Sequence, residues 1–342
     1  MPLRKSWHWL LIASICLSLS IPFIIGGLGQ FKLLEHLSWL SLGAFSSLVL
    51  VSWVFNAWRT QLLMRVSGRR VGFREAALVT ISAEFAGVTT PWSVGMPATY
   101  TFLFHNLGMD VPEAVGLVGL IVVTDLAFFG TLMPLAAVIQ LVEPGTKHDT
   151  FQLMAVIIPV IVGSALVFWL LGRNYRKVCL FIGEEMGKVV WLAKYRYRLG
   201  RATIKFVRSL RLVEKMSWPQ RLGLYFITVG FWLPRYMVLV LVIDLTSGQV
   251  VPFAYLFLVQ GVLNLGGQLF ILPGGGGTVD AGYVALLSPY LGRETLAFTL
   301  LTWRTFTFYC YLIIGGPIFL FKTGKAAHQI LSRKHEPVKA HY

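Results

Sequence analysis

The sequence predicts an all-α fold: a polytopic transmembrane helix bundle of about six full spans plus two broken re-entrant hairpins entering from opposite faces. Three observations predict it. Of the 342 residues, 56% are hydrophobic and only 13% are charged, with a mean hydropathy of +0.69; soluble domains carry about 25% charged residues. Apolar runs approaching or exceeding the ~20 residues that cross a hydrocarbon core recur from Trp7 to the region of Phe321. Two further apolar regions are cut midway by proline and glycine, and such breaks at membrane depth are tolerated where backbone lines a cavity or is buried in protein. No insertion reaches the roughly 50 residues that would bury a core of their own, so 1–342 reads as one integral membrane domain.

The first run, 7–28, follows the basic flank M-P-L-R-K. It is long and lacks a clear small-residue cleavage site, so it reads as a retained span rather than a signal peptide. A second span covers 38–58. Region 76–108 comes next and is interrupted by T-T-P-W-S-V-G-M-P at 89–97. Spans 112–141, 151–171 and 219–245 follow. Region 252–291 is then broken by P-G-G-G-G at 273–277, and 295–321 is the last span. The half-segments of both broken regions are short against a full span, which favours re-entrant hairpins over paired crossings.

Charge assigns the sides. Arg59, Arg65, Arg69, Arg70 and Arg74 put the second connection in the cytoplasm, while Glu143, Lys147, His148 and Asp149 have the mixed charge of an outside loop. Between Arg173 and Arg221 lie thirteen Lys or Arg against Glu184, Glu185 and Glu214. Segment 173–218 therefore reads as cytoplasmic, and its interleaved aromatic and aliphatic residues suit helices lying at the bilayer interface. The basic tail with Lys322, Lys325, Arg333, Lys334 and Lys339 is cytoplasmic as well. An odd number of crossings must separate opposite sides, so region 76–108 begins and ends inside and region 252–291 begins and ends outside. Interrupted segments at corresponding places in two inverted halves point to a midplane site serving alternating access.

The formal charge of +15 follows from this positive-inside bias and favours anionic lipid, not nucleic acid, since no basic domain stands apart from the spans. Cys16, Cys179 and Cys310 are scattered without metal-ligand spacing. There is no P-loop lysine, no His-x-x-x-His and no carboxylate pair at hydrolase spacing. No cofactor is expected, and the reading is a transporter rather than an enzyme.

The two broken regions and their flanks resemble the flippase-like transmembrane family that includes the membrane region of lysylphosphatidylglycerol synthases. The resemblance is carried by T-P-W-S-V-G-M-P-A-T-Y-T-F-L-F-H-N-L-G-M at 90–109, V-V-T-D-L-A-F-F at 122–129, L-P-G-G-G-G-T-V-D-A-G-Y-V-A-L-L at 272–287 and T-W-R-T-F-T-F-Y at 302–309. Where the family usually has Glu after its Pro-Gly-Gly turn, this chain has Asp280; where members often carry Arg or Glu near the end of the first motif, it has Ala98, Thr99 and Tyr100. The resemblance implies a translocator of lipids or lipid-linked head groups; the expected place is a bacterial inner membrane, with both termini cytoplasmic by the charge asymmetry.

The candidate site residues are Asp280, Arg304, Gly274, Gly275, Gly276, Gly277, Pro91, Glu84, Asp125 and Arg235. Asp125, Asp280, Arg235 and Arg304 fall inside apolar stretches, where an ionisable group costs roughly 2.5–3.5 kcal/mol and so faces a partner or a cavity. Asp280 with Arg304 suits either a structural ion pair or the lining of a head-group path. The glycines suit an anion nest of N–H groups for a phosphate, a tight turn between close helices, or both. Glu84 suits proton or cation binding, or pairing with a neighbour such as His105; Asp125 suits a structural partner of the first hairpin. The leading expectation is movement of an anionic or lipid-linked head group between leaflets, with membrane lipids as partners. The alternatives are a membrane enzyme using Asp280 as general base, or a scaffold recruiting a cytoplasmic transferase through 173–218.

Overall fold

The computed structural model describes residues 3–27, 29–142, 212–269 and 271–335, with isolated positions between 153 and 204. Most of the expected span 151–171, of the outside loop at 142–150 and of segment 173–218 lies outside the described residues.

Every described regular element is helical. The longer α-helices, in chain order, are α1 Leu3–Gly26, α2 Trp39–Val66, α3 Phe73–Thr89, α4 Gly95–Asn106, α5 Val111–Val142, α6 Trp218–Ser247, α7 Phe253–Leu269, α8 Thr278–Leu287, α9 Arg293–Arg304 and α10 Cys310–His335, with a 3-10 helix at Gly29–His36 and one α-turn at Leu212–Lys215. Single turns, Pro91–Ser93 and Pro273–Gly275, interrupt α3/α4 and α7/α8, and a π-helical turn, Thr305–Tyr309, joins α9 to α10. Among the described residues, Trp39–Val66, Val111–Val142, Trp218–Ser247 and Arg293–Ala326 are long and apolar enough to cross a membrane. The breaks fall where the sequence places them. Large apolar side chains such as Leu40, Leu50, Val138, Ile313 and Leu320 stay exposed on these helices, as on a surface covered by lipid.

The core joins both halves of the chain. Phe45 and Trp53 on α2, Phe128 on α5, Tyr236 on α6, Phe257 on α7 and Tyr311 on α10 form one buried cluster. A second cluster forms around the first hairpin, with Leu63, Val79, Phe104 and Leu117.

Both broken pairs are hairpins closed at their bases. Arg69, before α3, donates to Gly108 O at 2.9 Å and to Glu113 at 3.2 Å, beyond α4. In the second hairpin Tyr255 at the start of α7 donates to Leu286 O at the end of α8, 2.8 Å, and its ring lies 5.0 Å from that of Tyr290.

The α9–α10 rod shows how the hairpins are disposed. Near its start Thr299 accepts from Tyr283 of α8 at 2.9 Å; five residues on, Arg304 meets the second turn at Gly274 O. Further along, Phe319 packs on Phe85 of α3, ring centroids 5.2 Å apart, and Lys322 pairs with Glu75 near the base of the first hairpin. The second hairpin thus covers the first part of the rod and the first hairpin the remainder. They enter the bundle from opposite ends, and their turns touch in the middle.

The two turns share a backbone. Ser93 N donates to Thr90 O and Val94 N to Pro91 O; Gly275 N donates to Leu272 O and Gly276 N to Pro273 O. In each, proline precedes two left-handed residues: Trp92 and Ser93 (φ 51° and 53°) in the first, Gly274 and Gly275 (φ 60° and 65°) in the second. Only glycine takes this region without steric cost, so the first turn is held by its surroundings.

Candidate functional site

The turns meet beside a cavity of about 190 Å³. Its wall includes Ser93 and Gly274 from the turns and the charged residues Arg59, Glu84, Asp125, Arg235 and Arg304. All five candidate ionisable residues from the sequence are therefore here or one contact away, Asp280 being fully buried behind Arg304. This volume lies below the ~300–1,000 Å³ of drug-sized pockets.

Three arginine–carboxylate pairs organise the site. Arg304 is 4% exposed and Asp280 0%. Arg304 Nε donates to Asp280 Oδ1 at 2.6 Å, and its other nitrogens reach Gly274 O at 3.0 Å and Gly275 O at 3.4 Å. Asp280 also accepts from Gly277 N at 2.8 Å, which caps α8, and from Ser18 of α1 at 3.3 Å. Every polar atom of the pair is occupied, so this geometry ties the second turn to α9 and α1.

The other two pairs form a chain across four elements. Arg59 of α2 pairs with Asp125 of α5 and donates to Asn56 Oδ1 at 3.0 Å. Asn56 Nδ2 donates to Glu84 of α3 at 2.9 Å, and Glu84 receives Arg235 of α6 at 2.7 and 3.2 Å. Trp232 Nε1 donates to Asp125 at 2.7 Å. The Phe231 ring lies beneath both guanidinium groups, at 4.6 Å from Arg59 and 4.9 Å from Arg235. Asp125 and Arg235 are the most open of the six charged groups, at 21% and 18%.

Several expectations are corrected here. Glu84 does not pair with His105, whose Nδ1 lies 2.7 Å from Met109 O; Glu84 on α3 faces Arg235 of α6, 151 positions away, while His105 stands on α4 beyond the turn. Asp125 is held by α2 and α6, not by the first hairpin. The glycine turn is no open anion nest, because Gly275, Gly276 and Gly277 already spend their N–H groups on Leu272 O, Pro273 O and Asp280. Its tight-turn use is clear: a Cβ on Gly274 would strike the Phe308 ring, and one on Gly276 would strike Ser14 of α1. Pro91 opens the first turn at the equivalent place to Pro273.

Sequence reasoning missed Arg59 and Asn56. Arg59 was placed in the cytoplasmic connection because the apolar run ends at Trp58, yet α2 continues to Val66 and Arg59 is 2% exposed. The signal was the apolar L-L-M at 62–64. Among the described residues, no group of three His, Cys, Asp or Glu could hold a metal ion.

Residues 10–315 match the family model described as the lysylphosphatidylglycerol synthase TM region. No curated protein matches the chain.

Proposed function

Because the chain belongs to the lysylphosphatidylglycerol synthase transmembrane-region family, an integral membrane family tied to lipid modification or translocation, we propose that it moves the head group of an anionic or lipid-linked lipid between leaflets. One observation carries this reading: a cavity with five charged residues in its wall inside an apolar bundle, placed where two oppositely inserted hairpins meet. Broken helices from inverted halves converging on one site are the architecture of alternating access.

The turns also offer a route for the tails. Trp92, Val94 and Ile271 are each about half exposed, while their neighbours Ser93 and Gly274 line the cavity. A head group entering between the tips leaves its acyl chains in lipid. Both hairpins are then re-entrant, with both termini on the cytoplasmic side, as the basic flanks dictate. Cysteine-accessibility labelling of intact cells checks the orientation; an externally reactive tail at 336–342 would reverse it.

The purified full chain in liposomes with acyl-labelled lipids tests the function. The expected result is protein-dependent movement between leaflets that falls at least tenfold in Glu84→Gln, which leaves Arg235 without its partner. Movement no faster than in protein-free vesicles for every anionic and lipid-linked substrate would refute it.

A further inference from the structure

The arginines of the cavity already have partners. Arg304 spends Nε and both terminal nitrogens on Asp280 and the turn carbonyls. Arg59 is 2% exposed and spends its terminal nitrogens on Asp125 and Asn56, and both terminal nitrogens of Arg235 face Glu84. A phosphate arriving here competes with the carboxylate already paired to each guanidinium, and although the buried Nε of Arg59 has no partner, trading one ionic partner for another brings little gain.

The uncharged polar groups are in the opposite state. On α7, Gln260, Asn264 and Gln268 recur every four residues, and all three line the cavity. This spacing sets them one above another on a single helix face. Gln260 is 6% exposed; its Nε2 is fixed by Arg235 O at 3.0 Å, and its Oε1 has no hydrogen-bond partner. Trp303, also in the cavity wall, is 5% exposed, and its Nε1–H has none. Asp125 is 21% exposed and takes both Arg59 and Trp232 on Oδ1. Buried native polar groups are nearly always paired, and exceptions call for an explanation.

We propose that this cavity recognises hydroxyl groups of the head group through these amide, indole and carboxylate side chains. The inference rests on the translocation reading for its ligand being a lipid. A hydroxyl both donates and accepts, so a polyhydroxylated head group satisfies a lone acceptor at Gln260 Oε1, a lone donor at Trp303 Nε1 and the open side of Asp125 at once. A bare phosphate offers acceptors alone and leaves Gln260 Oε1 unmatched. The rings of Phe231, Trp232 and Phe308 on the same wall give the C–H faces of a sugar or glycerol an apolar surface. Sites built around substrate hydroxyls reject analogues that lack them because their own buried groups are left unpaired.

The test compares soluble short-chain lipids on the unmodified full chain in detergent, read by thermal midpoint as a function of ligand concentration. The probes are dioctanoyl phosphatidylglycerol, dioctanoyl phosphatidic acid and dioctanoyl glucosylglycerol. At least one hydroxylated ligand should bind tenfold or more tightly than phosphatidic acid, about 1.4 kcal/mol. Which of the two binds tighter separates a sugar from a glycerol head group. Gln260→Leu and Trp303→Phe should each remove most of that preference, the latter keeping a ring in place. Phosphatidic acid binding as tightly as both hydroxylated lipids, or no midpoint shift with either hydroxylated lipid, overturns the inference. Because binding is read without transport, a hydroxyl preference in a protein that moves no lipid would refute translocation and leave this inference standing.

Discussion

Replacing Asp280 by Asn removes the carboxylate that pairs with Arg304 and leaves a guanidinium 4% exposed in the middle of the bundle. Breaking a buried pair from one side costs about 3–5 kcal/mol, because the surviving charge is uncompensated. At roughly 2 °C per kcal/mol, the lower end suited to a large chain, Asp280→Asn or Arg304→Gln alone should lower the thermal midpoint by about 6–10 °C. The double variant carries no stranded charge. It lacks the Arg304 bonds to Gly274 O and Gly275 O, each worth about 0.5–1.5 kcal/mol, so it should sit only about 2–6 °C below wild type. The singles should therefore sum to far more than the double. The assay is scanning fluorimetry in detergent beside lipid movement in liposomes, on the same four proteins. Since the nitrogens of Arg304 are spent on Asp280 and the turn carbonyls, movement should recover along with stability in the double variant. A double variant as unstable as either single would refute the latch, and a stable double variant that moves no lipid would assign Arg304 to the substrate.

The turns make two further predictions. Ser93 holds φ 53°, which costs about 1–2 kcal/mol for a residue with a Cβ; Ser93→Gly should raise the thermal midpoint by about 2 °C, and a midpoint below wild type would show that the first turn is not strained as described. At Gly275 (φ +65°) a Cβ would stand 2.8 Å from Gly267 Cα, whereas at Gly68 (φ +84°) it meets nothing within 4 Å. Gly275→Val should therefore cost more than ~4 kcal/mol, in the range reserved for overpacking plus backbone strain, while Gly68→Ala should cost only about 1–2 kcal/mol; equal midpoints for the two variants would remove the packing argument.

The bundle and its breaks were legible because run length and Pro/Gly interruption report directly on what a bilayer permits. The candidate charges were legible for the same reason: Glu84, Asp125, Arg235, Asp280 and Arg304 stand in apolar surroundings that an unpaired charge does not occupy. Their partners were not, since pairing depends on which helices cross, and Glu84 finds Arg235 across two-fifths of the chain instead of His105 on its own hairpin. Arg59 escaped because a charge at the end of an apolar run looks like the start of a loop until the helix is seen to continue. The four glycines were legible as a break and misleading as a nest, because composition does not say which way an N–H points. Comparison of the two turns explains the glycines better. Both place two left-handed residues after proline, so backbone conformation alone does not demand Gly-Gly; the first turn manages with Trp92 and Ser93. What differs is space. The second turn is wedged against Ser14, Gly267 and Phe308, leaving no room for a Cβ, whereas Trp92 and Val94 of the first are about half exposed. The glycine run therefore marks the tip that is packed on every side, and the more exposed tip, residues 92–94, carries no glycine at all.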